Sequence, residues 1–476
     1  MSGWAWSPGA PLALEAGLFA LLVVTLLVGV IRRSDEGGWA GRLALSGLLV
    51  LFAASWLAEP GASAFGGTFV VDELALFAKR LFLASAAVSV LATLGGRGPF
   101  GRRSAEYHVM LLTSLLGMLV LASARELILL FVSFELMSIP LYVLTGFSKR
   151  DGTGAEASLK FFLVGTVSSA VLLYGLSFVY GAAGTTEMAA LPAALATGDP
   201  LLRLGMGLAL AGFGFKIAAM PFHMWVPDSY EAASTPFVAW LSVAPKAAGF
   251  VAIFRLYVEG VGPAAVVWVP IAATLAAVSI VAGNLMAIPQ RNIKRLLAYS
   301  GIAHIGYMLL GFAAVSANGV GMVLFYLVAY LFGNMGAFLV VHAVARAENS
   351  DQLDAYRGLA QRSPMLALSM LVFLLSLGGI PFVAGFWAKL YVFWAVVEQG
   401  MYGLAFLGAV LTVVALYYYL VVARYMYIDA PVRQGAVAVA SPLTLAIGVC
   451  AAGVVVMGLY PGPWVDAMLR IASTLF

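Results

Sequence analysis

The sequence predicts an all-α polytopic membrane protein of about 14 transmembrane helices. Of its 476 residues, 63% are hydrophobic and only 10% are charged, whereas an ordinary soluble domain is about 45–50% apolar and about 25% charged. Apolar runs of about 20 residues, long enough to cross a hydrocarbon core as helices, recur along the chain. The alternating segments of about ten residues that are typical of a β-barrel do not appear in the sequence.

Fourteen apolar segments follow one another along the chain. They cover residues 12–31, 39–57, 74–95, 106–123, 126–147, 157–181, 205–225, 236–258, 265–288, 295–313, 318–345, 365–394, 402–427 and 438–459. The first segment lacks a preceding basic region and a cleavage site, and Arg32 and Arg33 follow it directly. This pattern predicts an uncleaved first helix rather than a signal peptide.

Lysine and arginine are distributed unevenly between alternate loops. One set of loops holds only Arg125, Arg203 and Arg470. The other set holds Arg32, Arg33, Arg42, Arg97, Arg102, Arg103, Lys149, Arg150, Lys160, Arg291, Lys294, Arg295, Arg346, Arg357, Arg362, Arg424 and Arg433. By the positive-inside rule the richer loops are cytoplasmic. We therefore expect a multi-pass protein of the cell inner (plasma) membrane with both termini on the outer, periplasmic side. The membrane topology explains the positions of the basic residues, so their positive charge does not indicate a nucleic-acid partner. Lipids are the expected partners of the apolar helices.

Several classes of site are excluded by composition. The single cysteine, Cys450, rules out a disulfide framework, a thiolate zinc site and a Cys-ligated iron–sulfur cluster. The longest linkers, 182–204 and 346–364, are too short for a dinucleotide-binding βαβ unit, which needs more than about 30 residues. The four histidines are dispersed and do not suggest a metal or haem site. The sequence therefore predicts no cofactor and no metal in this chain.

Four charged residues fall in the middle of apolar segments: Glu135, Lys216, Lys246 and Lys389. Each costs about 2.5–3.5 kcal/mol to place at mid-membrane, and such residues usually face a bundle interior or a water path. A structural interpretation is a buried ion pair that fixes helix packing. One glutamate cannot neutralise three lysines, however, so some of these lysines are poised to lose a proton. This imbalance favours a proton relay.

Two of the segments that carry these lysines contain a helix-breaking proline. Pro221 follows Lys216, and Pro381 precedes Lys389. Proline removes a backbone hydrogen bond, and irregular backbone at membrane depth is tolerated only against protein or a water-filled cavity. The sequence therefore predicts that each lysine lies beside free backbone carbonyls.

The two broken helices occupy equivalent positions in two sets of five. After three N-terminal helices (1–105), the chain divides into 106–260 and 261–435, and a C-terminal helix (436–476) follows. The broken helix is the fourth of each five. Because five is odd, the second set starts from the opposite side of the membrane, so the two repeats are inverted. Inverted repeats with discontinuous helices near the midplane are typical of secondary transporters.

His304 lies in the tenth segment, within YSGIAHIGYMLLG. An unperturbed imidazole titrates near pH 6.5, so His304 is suited to carry a proton between Lys246 and Lys389. A neutral, hydrogen-bonded core histidine fits the sequence equally well. Both interpretations stay open at this stage.

Five stretches resemble the antiporter-like membrane subunits of respiratory complex I, the NADH:quinone oxidoreductases. They are FELMSIPLYVLTGF (Phe134–Phe147), EASLKFFLVG (Glu156–Gly165), FKIAAMPFHMWVPDSYEAASTPFVAWLSVAPKAAGF (Phe215–Phe250), GNLMAIPQRNIKRLLAYSGIAHIGYMLLG (Gly283–Gly311) and SLGGIPFVAGFWAKLYVF (Ser376–Phe393). The resemblance extends over most of the chain. The AWLSVAPKAAGF run is similar to the N type among these subunits.

The resemblance implies a role for each buried charge. Glu135 matches the glutamate that pairs with the lysine of the broken seventh helix, here Lys216. Lys246 matches the central lysine of the eighth helix, and Lys389 matches the lysine of the broken twelfth helix that faces the exit. In this family the subunit has no redox centre or cofactor of its own. Redox chemistry in other subunits drives the ion movement.

The resemblance therefore implies a proton-translocating membrane subunit, part of a translocase. Its catalytic candidates are Glu135, Lys216, Lys246, His304 and Lys389. Its expected partners are the other membrane subunits of complex I, including neighbouring antiporter-like subunits. A subunit of a multisubunit cation/proton antiporter is the alternative, because it shares the same helices and lysines. The eighth-segment motif favours complex I, and the buried charges argue against a purely structural scaffold.

Overall fold

The computed structural model of the chain describes most of the sequence, in five ranges. These are residues 10–32, 38–95, 103–148, 152–194 and 199–476. Five of the basic loop residues used for the predicted orientation lie outside the described residues: Arg33, Arg97, Arg102, Lys149 and Arg150.

The first half of the chain folds into helices and one β-hairpin. In order, the elements are α1 (Ala13–Ile31), α2 (Trp39–Ala54), β1 (Ala62–Ala64), β2 (Phe69–Val71), α3 (Glu73–Thr93), α4 (Ser104–Ala122), α5 (Leu127–Thr145), α6 (Gly152–Ala183), α7 (Leu191–Ala194), α8 (Pro200–Ile217), α9 (Trp225–Ala232), α10 (Thr235–Leu241) and α11 (Ala244–Ile253). A π-helical segment, Phe254–Gly260, continues α11.

The second half is helical throughout. Its helices are α12 (Ala265–Ala287), α13 (Ile293–Ala313), α14 (Ala317–Tyr330), α15 (Gly336–Glu348), α16 (Leu359–Arg362), α17 (Pro364–Gly378), α18 (Ala384–Glu398), α19 (Tyr402–Tyr427), α20 (Ser441–Leu459) and α21 (Gly462–Ser473). The π-helical segment Leu331–Met335 joins α14 to α15.

The predicted fold class is confirmed. Within the described residues, twelve helices are long and apolar enough to cross a membrane, counting α10 to Gly260 and α14 to α15 as single spans. The second and twelfth predicted segments correspond to the shorter apolar helices α2 and α17. Both predicted breaks are present, between α8 and α9 and between α17 and α18.

Three features were not predicted from the sequence. Residues 62–71 form an antiparallel hairpin that pairs Ala62 with Val71 and Ala64 with Phe69. The eighth predicted segment is interrupted between α10 and α11, directly before Lys246. The chain also ends in the amphipathic helix α21, which is too short to cross a membrane. Apolar runs predict spans, but they do not reveal a two-residue interruption or a three-residue strand.

The chain forms two compact units. Unit 1 comprises Met1–Phe213 and Ala244–Ala265, and unit 2 comprises Gly214–Val243 and Val266–Phe476. In unit 1, α11 is fully buried and most of α3 and α4 is buried, whereas α1 and α6 expose many apolar side chains, as expected of lipid-facing helices. Gly117 on α4 lies against the Met137 backbone on α5, where a larger side chain would not fit.

A cluster of four charges joins distant parts of unit 1. Arg255, in the π-helical segment, donates two hydrogen bonds to Asp72, at 2.6 and 2.7 Å, and one to Glu259 at 2.7 Å. Arg125 contacts the same two carboxylates, at 2.6 and 3.0 Å. The cluster has no net charge, so its members offset one another's burial.

The Asp72 carboxyl also caps α3 by accepting a hydrogen bond from the Ala75 amide. Burial raises the pKa of Asp72. The charge of Arg255, together with the hydrogen bonds that Asp72 accepts, outweighs this effect and holds the pKa well below its usual range. The Asp72 carboxyl therefore stays ionised at physiological pH.

Unit 2 is built around α13 and α14, which are almost entirely buried. The Trp268 and Phe312 rings stack with their centroids 4.6 Å apart. In the π-helical segment of unit 2, Asn334 donates a hydrogen bond of 2.7 Å to the Ser242 hydroxyl. Helix α21 packs on α14, with Leu469 close to Gly321. The predicted division into inverted five-helix repeats stays a prediction.

We expect Asp72→Asn to destabilise the protein by about 3–5 kcal/mol, because it leaves the buried Arg255 charge partly uncompensated. The pKa of Asp72 lies below its unfolded value near 3.9. Its contribution is therefore fully present above about pH 4 and is lost only as the pH falls through the folded pKa. Thermal unfolding of the purified protein across this pH range measures both effects. Asp354→Asn, at a surface ion pair with Arg357, is the control and should change little.

Candidate functional site

Glu135 lies in unit 1, on α5, and is partly buried. The Ser169 hydroxyl on α6 donates a short hydrogen bond of 2.5 Å to its Oε1 atom. A hydroxyl donor stabilises the ionised carboxylate and fixes its orientation. Pro140 lies inside the same helix, five residues further on, where it removes one backbone hydrogen bond.

Lys246 also lies in unit 1, in the first turn of α11, and is almost completely buried. The helix begins only two residues earlier, at Ala244, and Pro245 occupies its second position. Proline is well tolerated there because the first amides of a helix have no intrahelical partner. The interruption before α11 therefore places Lys246 beside a helix terminus in the eighth span.

Lys216 lies in unit 2, one residue before the end of α8, and is fully buried. The break that follows is held by side chains. Trp225 donates its indole N–H to the Phe215 carbonyl at 2.9 Å, and the Met220 amide donates to Ser279 Oγ at 2.9 Å. A cation at the C-terminal end of a helix is favoured by the helix dipole.

Lys389 lies in unit 2, on α18, and is buried. Its Nζ atom donates to the Leu377 carbonyl at 2.8 Å and to the Gly378 carbonyl at 3.3 Å. The same atom lies 4.9 Å from the centroid of the Tyr307 ring. Carbonyl dipoles and an aromatic face stabilise a buried ammonium without supplying a counter-charge.

The local sequence explains this arrangement. Gly379 ends α17 with a positive φ of 81°, which glycine adopts without strain, and Pro381 prevents the helix from continuing. The Ser376 hydroxyl accepts a hydrogen bond from the Gly385 amide, which satisfies a backbone donor near the start of α18. The last carbonyls of α17 are therefore free to accept from Lys389.

His304 lies on α13 in unit 2 and is buried, with both ring nitrogens engaged. Its Nδ1 atom lies 2.7 Å from the Tyr326 hydroxyl, and its Nε2 atom lies 3.2 Å from the Tyr419 hydroxyl. In the neutral form one nitrogen donates and the other accepts. The Tyr419 hydroxyl also shares a short hydrogen bond with Ser300. Both interpretations of His304 are compatible with these contacts.

A second group of polar side chains lies beside the first. The Tyr418 hydroxyl donates to Asn284 Oδ1 at 3.0 Å, and Asn284 Nδ2 lies 3.4 Å from the Tyr307 hydroxyl. Thr412 donates to the same Tyr307 hydroxyl at 3.2 Å. The Tyr418 and Tyr419 ring centroids are 4.5 Å apart. Neutral polar groups therefore extend between the surroundings of His304 and the ring that covers Lys389.

These neutral partners were missed in the sequence. Tyrosine, asparagine and serine are common in helices, and because they are uncharged they do not stand out in an apolar segment. The tyrosines do offer one sequence signal. Tyr418 and Tyr419 are adjacent in an otherwise apolar helix, and buried hydroxyls require hydrogen-bond partners. No similar signal marks Ser169 or Asn284.

The five predicted site residues are distributed over both units. Lys216, His304 and Lys389 belong to unit 2, and Glu135 and Lys246 belong to unit 1. The predicted ion pair of Glu135 with Lys216 stays a prediction. In the described ranges, no group of three or more His, Cys, Asp or Glu is placed to hold a metal ion.

Comparison with known proteins shows similarity over nearly the whole chain. The family model described as NADH:quinone oxidoreductase/Mrp antiporter, TM matches residues 124–415. An NADH-quinone oxidoreductase subunit N from Heliobacterium modesticaldum is 42% identical over 463 residues, covering 96% of this chain and 98% of that protein. Another from Moorella thermoacetica is 42% identical over 472 residues, covering 98% of this chain and 97% of that protein.

Solved structures show the same fold. A chain of respiratory complex I from Thermus thermophilus with bound aureothin has a TM-score of 0.82 and 34% identity, covering 96% of this chain and 99% of that chain. A chain of the Mrp complex from a Dietzia species has a TM-score of 0.87 at 19% identity, covering 98% of this chain and 97% of that chain, and so shares the fold alone. The buried lysines, the broken helices and these matches together show that the chain belongs to the NADH:quinone oxidoreductase/Mrp antiporter family of transmembrane proteins.

Proposed function

We propose that this chain is the N-type proton-translocating membrane subunit of an NADH:quinone oxidoreductase. It works with the other membrane subunits of that complex, including neighbouring antiporter-like subunits, in the inner (plasma) membrane, with both termini on the outer side. The observation that carries the proposal is Lys389, a buried amine held by two backbone carbonyls at a helix break. The names of the relatives, at about two-fifths identity over nearly the full length, support it over the antiporter alternative.

Five residues form the proposed relay: Glu135, Lys216, Lys246, His304 and Lys389. When Glu135 is near Lys216, its negative charge keeps the lysine protonated. When the two separate, desolvation favours the neutral amine, and the proton moves on toward Lys246. Charge movement in one part of the path is thereby linked to proton transfer in the next.

His304 occupies the second half of the relay, in unit 2. If its Nδ1 atom takes up a proton on the Tyr326 side, its Nε2 atom can release one to the Tyr419 hydroxyl, which passes its own proton on. The groups around Tyr307, Asn284 and Tyr418 provide neutral donors and acceptors toward Lys389. Lys389 binds the arriving proton as an ammonium, which the Leu377 and Gly378 carbonyls stabilise.

The relay moves protons and performs no redox chemistry in this proposal. Electron transfer takes place in partner subunits, which drive this one through conformational or electrostatic change. The proposal rests on the sequence: the one cysteine, Cys450, lies in an apolar run, and the linkers are too short for a nucleotide-binding unit.

We expect Glu135→Gln to lower the proton-to-electron ratio of the assembled complex, because glutamine cannot hold Lys216 in its charged form. Glu135→Asp should be milder, since it keeps the carboxylate. Proton pumping and NADH oxidation measured on the same membrane vesicles give the ratio. Glu156→Gln, at an exposed pair with Lys160 on α6, is the matched control. An unchanged ratio in Glu135→Gln contradicts the switch.

We expect Lys389→Ala to abolish pumping by this subunit while NADH oxidation with an artificial acceptor continues. The reason is that release against the membrane potential costs about 2.3 kcal/mol per charge per 100 mV, so the exit needs a group that binds the proton. The measurement is the proton-to-electron ratio in a complex shown to be fully assembled. Lys160→Ala removes an exposed lysine and should leave the ratio intact. If Lys389→Ala membranes pump normally, the exit lies elsewhere.

We expect the isolated chain to oxidise no NADH and to carry no flavin, haem or iron. Absorption spectra and metal analysis of the purified subunit provide the check. A chromophore present in stoichiometric amount would show that redox chemistry is not confined to partner subunits.

A further inference from the structure

A second buried acid–base pair lies in unit 1, outside the proposed relay and outside the part of the chain that the family model matches. Glu15 on α1 and Lys79 on α3 form an ion pair, with Nζ and Oε1 2.8 Å apart. Their side chains are only 7% and 1% exposed. Each residue lies within the first two turns of its helix, so α1 and α3 begin at the same face of the unit.

Apolar groups surround the amine of this pair. The Nζ atom of Lys79 lies 4.9 Å from the centroid of the Phe69 ring, which belongs to the hairpin. Phe69 packs with Val71 and Leu76, and Leu12 and several alanines cover them. The pair is therefore held in a medium of low polarity, where each charge is expensive.

The Glu15 carboxylate has few partners. Among the described residues, neither of its buried oxygens accepts a hydrogen bond, and Oε1 contacts Lys79 as an ion pair. The contact with Lys79 is therefore the polar contact that the described residues give this carboxylate.

A small pocket in unit 1 is lined by Lys79 but not by Glu15. Its lining includes Ala10, Pro11, Ala58, Glu59 and Lys79. Glu59 is exposed, whereas Lys79 is buried. Lys79 therefore lies between the pocket on one side and Glu15 on the other.

We propose that Glu15 and Lys79 form a second proton-exchange site, which takes up a proton from hydronium in the pocket and releases it again as the complex turns over. The exchange has two steps. Lys79 Nζ transfers a proton to Glu15 Oε1, so that one N–H bond breaks, one O–H bond forms and both charges vanish. The neutral amine then accepts a proton from hydronium, which leaves as water, and the pair gains one positive charge.

The competing explanation is a purely structural ion pair, which only holds α1 and α3 together. Buried ion pairs are weak evidence for stability, because apolar replacements are often neutral or stabilising. The two explanations make different demands on residue 79. A structural ion pair needs a positive charge at residue 79, whereas proton exchange needs a group there that can lose its proton.

Lys79→Arg separates the two explanations, because arginine keeps the charge and the ion pair but does not deprotonate in proteins. The experiment uses membranes containing the assembled complex. Infrared difference spectra with and without NADH, in H2O and in D2O, follow protonated carboxyl groups. We expect a band of protonated Glu15 in the unmodified protein and its loss in Lys79→Arg and in Glu15→Gln. Lys160→Arg, at the exposed pair with Glu156, should keep the band.

The same membranes test the consequence for pumping. We expect Lys79→Arg to lower the proton-to-electron ratio while NADH oxidation with an artificial acceptor is retained. Unchanged infrared spectra together with an unchanged ratio overturn the proposal. If Lys79→Arg does not assemble, the double variant Glu15→Leu with Lys79→Met replaces it. Normal pumping by the double variant, or failure of both to assemble, shows that the pair is structural.

This outcome is independent of the proposed relay. The Glu15 band is read without reference to Lys389, so a normal ratio in Lys389→Ala leaves the infrared result intact. Conversely, loss of pumping in Lys389→Ala together with wild-type spectra in Lys79→Arg supports the relay and rejects the second site.

Discussion

The cost of an unsatisfied polar group inside the hydrocarbon layer constrains the whole molecule. Each backbone amide or carbonyl without a partner costs several kcal/mol there, so a broken helix persists only where other groups satisfy its ends. At the first break, Trp225 and Ser279 supply a donor and an acceptor. At the second, Lys389 itself donates to the last carbonyls of α17. The break and the buried charge therefore stabilise each other: the lysine needs the carbonyls, and the carbonyls need the lysine.

The same constraint governs charge at the ends of the helices. Asp72, Arg125, Arg255 and Glu259 neutralise one another in unit 1. In unit 2, Arg295 contacts Asp228 and Glu231, both at 2.9 Å. Both clusters combine arginine with carboxylates, which makes them fixed connections between helices and loops. The charges of the unit 1 cluster also sum to zero, so it holds the helix ends in place without a net buried charge.

Much of this architecture was predictable because hydropathy and proline act locally. Composition and spacing predict the fourteen segments and both breaks. They also predict the positions of Glu135, Lys216, Lys246 and Lys389 within these segments. The interruption before Lys246 was not predicted, although Pro245 marks it: proline cannot continue α10 but is tolerated in the first turn of α11. The polar partners of these charges could not be predicted either. Ser169 and Asn284 lie on other helices, and no distinctive sequence pattern marks them. The Glu15–Lys79 pair has one feature that the sequence shows and one that it does not. Lys79 lies within the third apolar segment of the sequence, but only the fold shows that its acid partner lies on α1.

The choice between arginine and lysine distinguishes fixed charges from exchangeable ones. Arginine keeps its proton in proteins, and in unit 1 the fully buried Arg255 lies within a balanced cluster, where a constant charge is required. Lysine loses its proton when burial is expensive enough. Around Lys389, the described contacts are neutral carbonyls and an aromatic ring, so loss of its proton leaves no stranded anion behind. A carboxylate in that position would favour the charged amine and bind the proton too tightly to pass it on. In the proposed relay, neutral partners at Lys389, and an acid partner where Lys216 is to be held charged, are the arrangement that a directional proton path requires.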